Sequence, residues 1–482
     1  MRADLLLDDV EGLDEALAAV DGFDAVLVGG LLRPQPAQAA GLSGLAGAVA
    51  GTPLASRVAE AAEKTSAGGG DEGHFVALAG ARTALLGSVH DALVARVDEV
   101  TGRPAVDAVA ASVGSGEERP GNLLVAARGW LCDLARSGWQ GIDHDLVGGA
   151  APIVSAMLPD PALRRLATLL DGFAAELAAC CPGAALERVP VRRWADLWAR
   201  ALLLTLPGAV SAPAVERVSG RLLPLGIDVQ EHATAVQAQV HGVFEPVDGG
   251  GSRLVRASVS APKPDPVVGA GLWQLLRPHM SLLAAAGEGR AVELDGMPLT
   301  AEGDLLWDDA RARAGGPADA FTTARVALPT ATAFAVSPLD RHPARIAVPV
   351  LVEGYGVSNT DDAGDAGDAD DVAGGSDAAD TVVLDVAGCR LRVDTGRIPA
   401  AGPLTGEAVA SSGACLGLLR WDAGEFLLQP LAVERTVRKK AVAVHAGAWA
   451  GGTTDKAGVR AEKAATDAVT VLRERAGKLL RT

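Results

Sequence analysis

The sequence predicts an α+β fold: a helical N-terminal half, then antiparallel β units, the last a small OB-like barrel, then a C-terminal amphipathic helix. Three observations predict it. Before residue 220 apolar residues recur every three or four positions, which is helical spacing. After Pro224 several segments alternate apolar and polar residues, which is strand spacing. Near the C-terminal end two short alternating pairs, centred on Ala-Gly and on Asp-Ala-Gly, flank a helical stretch, an order compatible with a five-stranded oligonucleotide-binding-type barrel.

A length of 482 residues allows two to four domains at roughly 100–200 residues each. The expected division is a mostly helical 1–220, a mixed 221–345, a small antiparallel β unit at 346–434 with an acidic insertion at 359–380, and a basic tail at 435–482.

In the first part, "DPALRRLATLLDGFAAELAACCPG" is the clearest helix. Asp160 and Pro161 suit its start, Leu163, Leu166, Leu170, Phe173, Leu177 and Cys181 form one stripe, and Pro182-Gly183 stops it. "SRVAEAAEK" and "RTALLGSVHDALVARVDEV" repeat the pattern. "RRWADLWAR" puts Trp194 and Trp198 one turn apart on a stripe with Leu197 and Ala201. Their neighbours are apolar, so the stretch reads as a core helix and not as an aromatic platform. Arg192 and Asp196, four apart, are expected to pair on its solvent side, and Arg192, Arg193 and Arg200 are candidate interface residues.

Beyond Pro224, "ATAVQAQVHGVFE" and "RLVRASVSA" read as a hairpin joined by "PVDGGGS". "VVGAGLWQLLRPHMSLLAAAG" reads as a helix divided at Pro278. Strands are expected at 290–299 and 321–337. "RIAVPVLVEGY" is a further strand, "TVVLDVAGCRLRV" and "CLGLLRWDAGEFLLQPLAV" are hairpins, and "LTGEAVASS" is a short helix. The insertion holds eight aspartates from Asp361 to Asp380 and reads as a disordered surface loop. In the tail, Val469, Leu472 and Leu479 lie on an apolar stripe with Ala465 and Ala476. Arg473 and Arg475 lie beside it, so these five residues are read as a docking helix, whose groove belongs either to an acidic partner protein or to this same chain.

The formal charge is −17. Residues 435–482 hold eleven Lys/Arg and four Asp/Glu, a net of +7, which leaves −24 on the preceding residues. A field of that sign repels phosphates, so no specific nucleic-acid partner is expected. The N-terminus carries acids within its apolar stretch, unlike a signal peptide, and no run is long enough to span a bilayer. Five cysteines form no regular framework and read as reduced core residues of a cytoplasmic protein.

Reactive constellations are sparse. In "GWQGIDHDLV" Asp143 reads as a helix cap, with His144 and Asp145 in the first turn. His232 and His241 are nine apart, so a regular strand sends them to opposite faces. "LDRHPAR" reads as a solvated turn holding Asp340, Arg341 and His342. The aspartate-rich loop lacks the spacing of a calcium loop. Phosphate-loop, dinucleotide-fold, nucleophile-elbow and zinc-protease motifs do not occur. No cofactor, catalytic or metal-ligating residue is therefore assigned.

At "VRRWADLWARALLLTLPG", "VLVEGYGVSN" and "LGLLRWDAGEFLLQPLAV" the chain resembles an uncharacterised actinobacterial family. The genes of that family neighbour those of a MoxR-type AAA+ ATPase, a von Willebrand A-domain protein and a SWIM zinc-finger protein. The resemblance implies an accessory protein, with the ATPase or the A-domain protein as partner. Two readings follow. The first is a non-catalytic scaffold or adaptor of a cytoplasmic assembly. The alternative is an enzyme whose site gathers scattered residues such as Asp143, His144 and His279.

Overall fold

A computed structural model of the chain describes residues 2–103, 121–206, 209, 215–264, 267–359 and 382–452, together with separate positions between 459 and 475. Helices occupy the first part: α1 (Leu13–Gly29), α2 (Pro36–Ala48), α3 (Ala55–Ser66), α4 (Glu72–Thr101), α5 (Gly121–Ser137), α6 (His144–Gly148), α7 (Ala150–Met157), α8 (Arg164–Ala179) and α9 (Val191–Leu204). The longest, α4, starts at Asp71, whose carboxylate accepts from the His74 amide, and stops at Gly102, whose φ of +69° ends the helix without a Cβ clash. Trp139, Trp194 and Trp198 are buried where these helices meet.

The first sheet follows. It contains β1 (Val215–Glu231), β2 (Ala235–Pro246), β3 (Arg253–Pro262), β4 (Arg290–Thr300), β5 (Asp304–Leu305) and β6 (Ala312–Pro317). Two short helices, α10 (Leu272–Leu275) and α11 (Met280–Gly287), lie between β3 and β4, with the chain broken around Pro278 as expected. β1 pairs with β2, β2 with β3, β3 with β5 in parallel, β5 with β4, and β4 with β1, so the ladder returns to its first strand; β6 adds to β4.

After α12 (Ala320–Val326) a second sheet forms from β7 (Val348–Glu353), β8 (Gly356–Asn359), β9 (Val382–Val386), β10 (Cys389–Val393), β11 (Ala414–Asp422), β12 (Glu425–Val437) and β13 (Lys440–His445), with α13 (Gly406–Ala410) between β10 and β11. Its path runs β7–β11–β12–β10–β9–β8, and β13 pairs with β12. Both predicted hairpins are present, each turning on an Ala-Gly pair with positive φ at both residues, Ala387-Gly388 and Ala423-Gly424.

Four expectations are corrected. The strand pattern starts at Val215, before Pro224; the proline sits beside a register shift, where β1 tolerates it. The stretch 321–337 is not a strand. Asp319 accepts from the Thr322 amide at 2.7 Å and starts α12 there, against the β preference of its threonines. The β units are not purely antiparallel, because β10 and β12 pair in parallel as β3 and β5 do. Finally, residues 435–445 are not tail: β12 continues to Val437 and β13 pairs back along it. The acidic insertion lies almost wholly outside the described residues.

Three apolar cores join these parts into one body. The N-terminal half of α4 packs in the helical core through Phe75, Leu78 and Leu86, while Val89, Leu93 and Val97 pack against the second sheet. Between the sheets, Leu223, Leu225 and Val243 meet Phe321 of α12 and Leu416 and Ala432. Gly226 is required at this contact, since a Cβ there would lie 2.7 Å from Cβ of Leu431.

Candidate functional site

α9 presents its arginines to neighbours within the chain. Its apolar stripe buries Trp194 and Trp198, and the Trp198 indole donates to the Leu131 carbonyl at 2.9 Å. The expected Arg192–Asp196 pair does not form. Arg192 instead donates two hydrogen bonds to Asp21 of α1, at 2.8 and 2.7 Å, because the packing of α1 puts a carboxylate within closer reach than the next turn does. Arg193 forks onto Glu176 of α8. Both guanidiniums keep an exposed side. Arg200 is turned inward, 9% exposed, and reaches Asp196 at 3.2 Å.

"LDRHPAR" is not a solvated turn. It docks on α4 and α9, where it adds opposite charges beside Asp91, Asp196 and Arg200. Asp340 meets Arg165 at 2.9 Å, Arg200 at 3.8 Å and Arg345; Arg341 meets Asp91 at 2.9 Å; His342 meets Asp196 at 3.6 Å. Beneath this loop Arg82 forks onto the buried Asp24 at 2.6 and 2.9 Å. Burial pushes the His342 imidazole below its ordinary value, more strongly than the Asp196 carboxylate raises it.

A second polar seam joins the two sheets. Asp228 of β1 is buried, and accepts from Arg420 of β11 at 3.0 Å and from Gln429 of β12 at 2.7 Å. Arg420 also donates to Gln429 at 2.5 Å. His241 of β2 is buried beside this group, and its Nε2 has no hydrogen-bond partner. Burial pushes its imidazole down to about 3, against the pull of Asp228. His232 is exposed and lies between β1 and β2, outside either strand, so the opposite-face spacing expected of a regular strand does not apply to the pair.

Asp143 caps α6 by accepting from the Leu146 amide at 2.8 Å, the role its sequence suggests. His279 belongs to a different cluster. Its Nδ1 lies 3.0 Å from Asp309, which also accepts from Trp307 at 3.2 Å and from the Ser281 hydroxyl. Partial burial raises the Asp309 carboxyl, but the three donors together hold it below its ordinary value. Asp309 therefore stands between serine and histidine, so the imidazole is not placed to take the serine proton. No contact joins this cluster to Asp143 or His144 among the described residues, and no group of three or more His, Cys, Asp and Glu side chains there could hold a metal.

An open cavity of about 480 Å³ lies on the second sheet against Arg392, Asp394, Thr395, Asp422 and Leu427. Its charges are paired along its rim, Arg392 with Glu425 at 2.6 Å and Arg397 with Asp394 at 2.9 Å. No known protein family, curated protein or solved structure matches the chain. The site is therefore read from its own geometry.

The five cysteines are free, with Cys132, Cys389 and Cys415 buried and Cys180 and Cys181 half-buried. No described helix is long and apolar enough to cross a membrane. Of the tail residues, Val469, Leu472, Arg473 and Leu479 lie outside the described residues; Arg475 is helical and exposed. Arg420 and Gln429 beside Asp228, and His279 and Ser281 beside Asp309, escaped sequence reasoning, because each lies far along the chain and no local spacing marks it. The cations at 435–440 were visible, but the β-branched Thr436, Val437, Val442 and Val444 around them were the strand signal.

Proposed function

We propose that this chain is a non-catalytic scaffold or adaptor of a cytoplasmic assembly, and that its two sheets are OB-like barrels mounted in tandem on the helical unit. The observation that carries the reading is where the ionic side chains lie. Arg82–Asp24, the Asp340 cluster and Asp228–Arg420–Gln429 sit at seams between elements distant in sequence, where they fix orientation and leave outer surfaces for partners. The strand orders support the barrel reading. In each sheet the third strand pairs in parallel with the last strand of the cycle, and helix precedes the fourth; in the second sheet β7 and β8 together take the place of one broken first strand. An assembly built around a MoxR-type AAA+ ATPase is the candidate that the sequence resemblance offers. Affinity purification of the full chain from its native host, with mass spectrometry and cross-linking, tests this. Stoichiometric recovery of defined partner proteins supports it; a chain that sediments alone at native abundance overturns it.

A second reading, an enzyme, is favoured by the half-exposed His279–Asp309 pair, in which the carboxylate orients an imidazole as a general base requires. Retention of any activity found with the full chain after His279→Ala would remove that reading.

A further inference from the structure

We propose that the β12–β13 hairpin is a docking arm for an extended acidic segment of a partner protein, an inference that rests on the adaptor reading and names the surface it uses. Past Glu434, β12 pairs among the described residues with β13 alone, so Arg435–Val442, Thr436–Ala441 and Val437–Lys440 form a two-stranded ribbon beyond the sheet. Three residue pairs and a turn project it by about 10 Å. Directly opposed residues share a face, so one face carries Arg435, Val437, Lys440 and Val442. All four are exposed, and Val437 and Val442 keep 40% and 38% of their surface. The side chains of Arg435, Arg438, Lys439 and Lys440 have no ion pair or hydrogen bond among the described residues.

The turn is the second observation. The other two hairpins of this sheet place glycine at the second central position, whereas here Arg438 and Lys439 take φ of +50° and +66°. Two side chains that resist this conformation are held in it, and both are cations. The third observation is β13 itself. Among the described residues no strand other than β12 pairs with it, so its outer edge is open to strand addition. A strand laid there presents alternate side chains on the ribbon face, carboxylates toward Lys440 and Arg435 and apolar groups toward Val437 and Val442.

A protein segment fits better than a nucleic acid. The arm is about as long as the Debye length at physiological ionic strength, so a duplex on it would feel the net −24 of residues 1–434. An acidic strand places its charges only where the cations are.

The test uses the full chain and a fluorescein-labelled peptide of repeating Glu-Thr-Val-Thr, which sets glutamate and valine in turn on one face of a strand, read by anisotropy, with a 20-base-pair duplex and phosphatidylglycerol vesicles alongside. The variant Arg438→Asn with Lys439→Gly installs a favoured turn and removes two cations, so the hairpin stays folded. A second variant, Val437→Ser with Val442→Ser, removes the apolar contacts. Saturable, salt-sensitive peptide binding is expected, weakened at least tenfold by the first variant with an unchanged or raised Tm, and several-fold by the second. Peptide binding that is absent, or equal in all three proteins, overturns the proposal, as does tighter binding of duplex or vesicles through the same residues. If the turn variant still recovers every partner from the native host, the arm is excluded and the adaptor reading stands.

Discussion

Trp198 shows how much a single side chain can be asked to hold. Its ring fills the space between α9 and α1, where Phe23 lies 6.3 Å away between ring centroids, and its N–H satisfies a carbonyl of α5. Trp198→Ala leaves a cavity and removes the added hydrogen bond to the Leu131 carbonyl, and is expected to cost about 3–5 kcal/mol in denaturant unfolding. His241 makes a pH-dependent contribution. In the folded chain it takes a proton only near pH 3, whereas an unfolded histidine does so near pH 6.5. Between these values the unfolded chain binds more protons, so stability falls as pH drops through the window. His241→Leu is expected to flatten the dependence of Tm on pH between 7 and 4; an unchanged slope contradicts the assignment. At this scale the sequence was legible wherever the role was local. The Asp143 cap and the buried tryptophans needed only nearest neighbours or one helical stripe, whereas the burial of His241 and the meeting of His279 with Asp309 needed the fold.

Elements were legible in proportion to their periodicity. The two Ala-Gly hairpins and α13 appear where alternation and turn chemistry put them, because register in a tight hairpin is decided within a few residues. The region 321–337 misled because a capping carboxylate outweighed β propensity. The β8–β9 ladder makes a sharp prediction. Asn359 pairs directly with Val382, so the ends of the segment 360–381 already sit across one rung. Replacing that segment by Asn-Gly should change unfolding free energy by no more than about 1 kcal/mol, since closure entropy varies slowly with loop length. A large loss of stability in the shortened chain would show that the segment supports the sheet.

The whole molecule is held by contacts between distant parts of the chain, and the Asp228 seam is its most exacting test. Arg420→Met leaves a buried carboxylate without its cation, and is expected to cost about 3–5 kcal/mol and to expose the junction of the sheets to protease. Adding Asp228→Leu should recover part of that loss, because the uncompensated charge is gone. A double variant no more stable than the single one would mean that the seam acts through packing alone.

The sequence by itself determined the class of fold, the order of most strands and helices, the burial of the tryptophan stripe and the segregation of charge toward the C-terminal end. These follow from periodicity, turn chemistry and counting, which operate over a few residues or over composition. Only the tertiary structure decided that α4 belongs to two cores, that the loop at Asp340 is an ionic dock, that Asp228 locks one sheet to the other, and that residues 435–442 form a projecting ribbon. Each depends on which surfaces meet after folding. A charged side chain is solvated or buried, paired or free, according to a neighbour that chain position does not reveal.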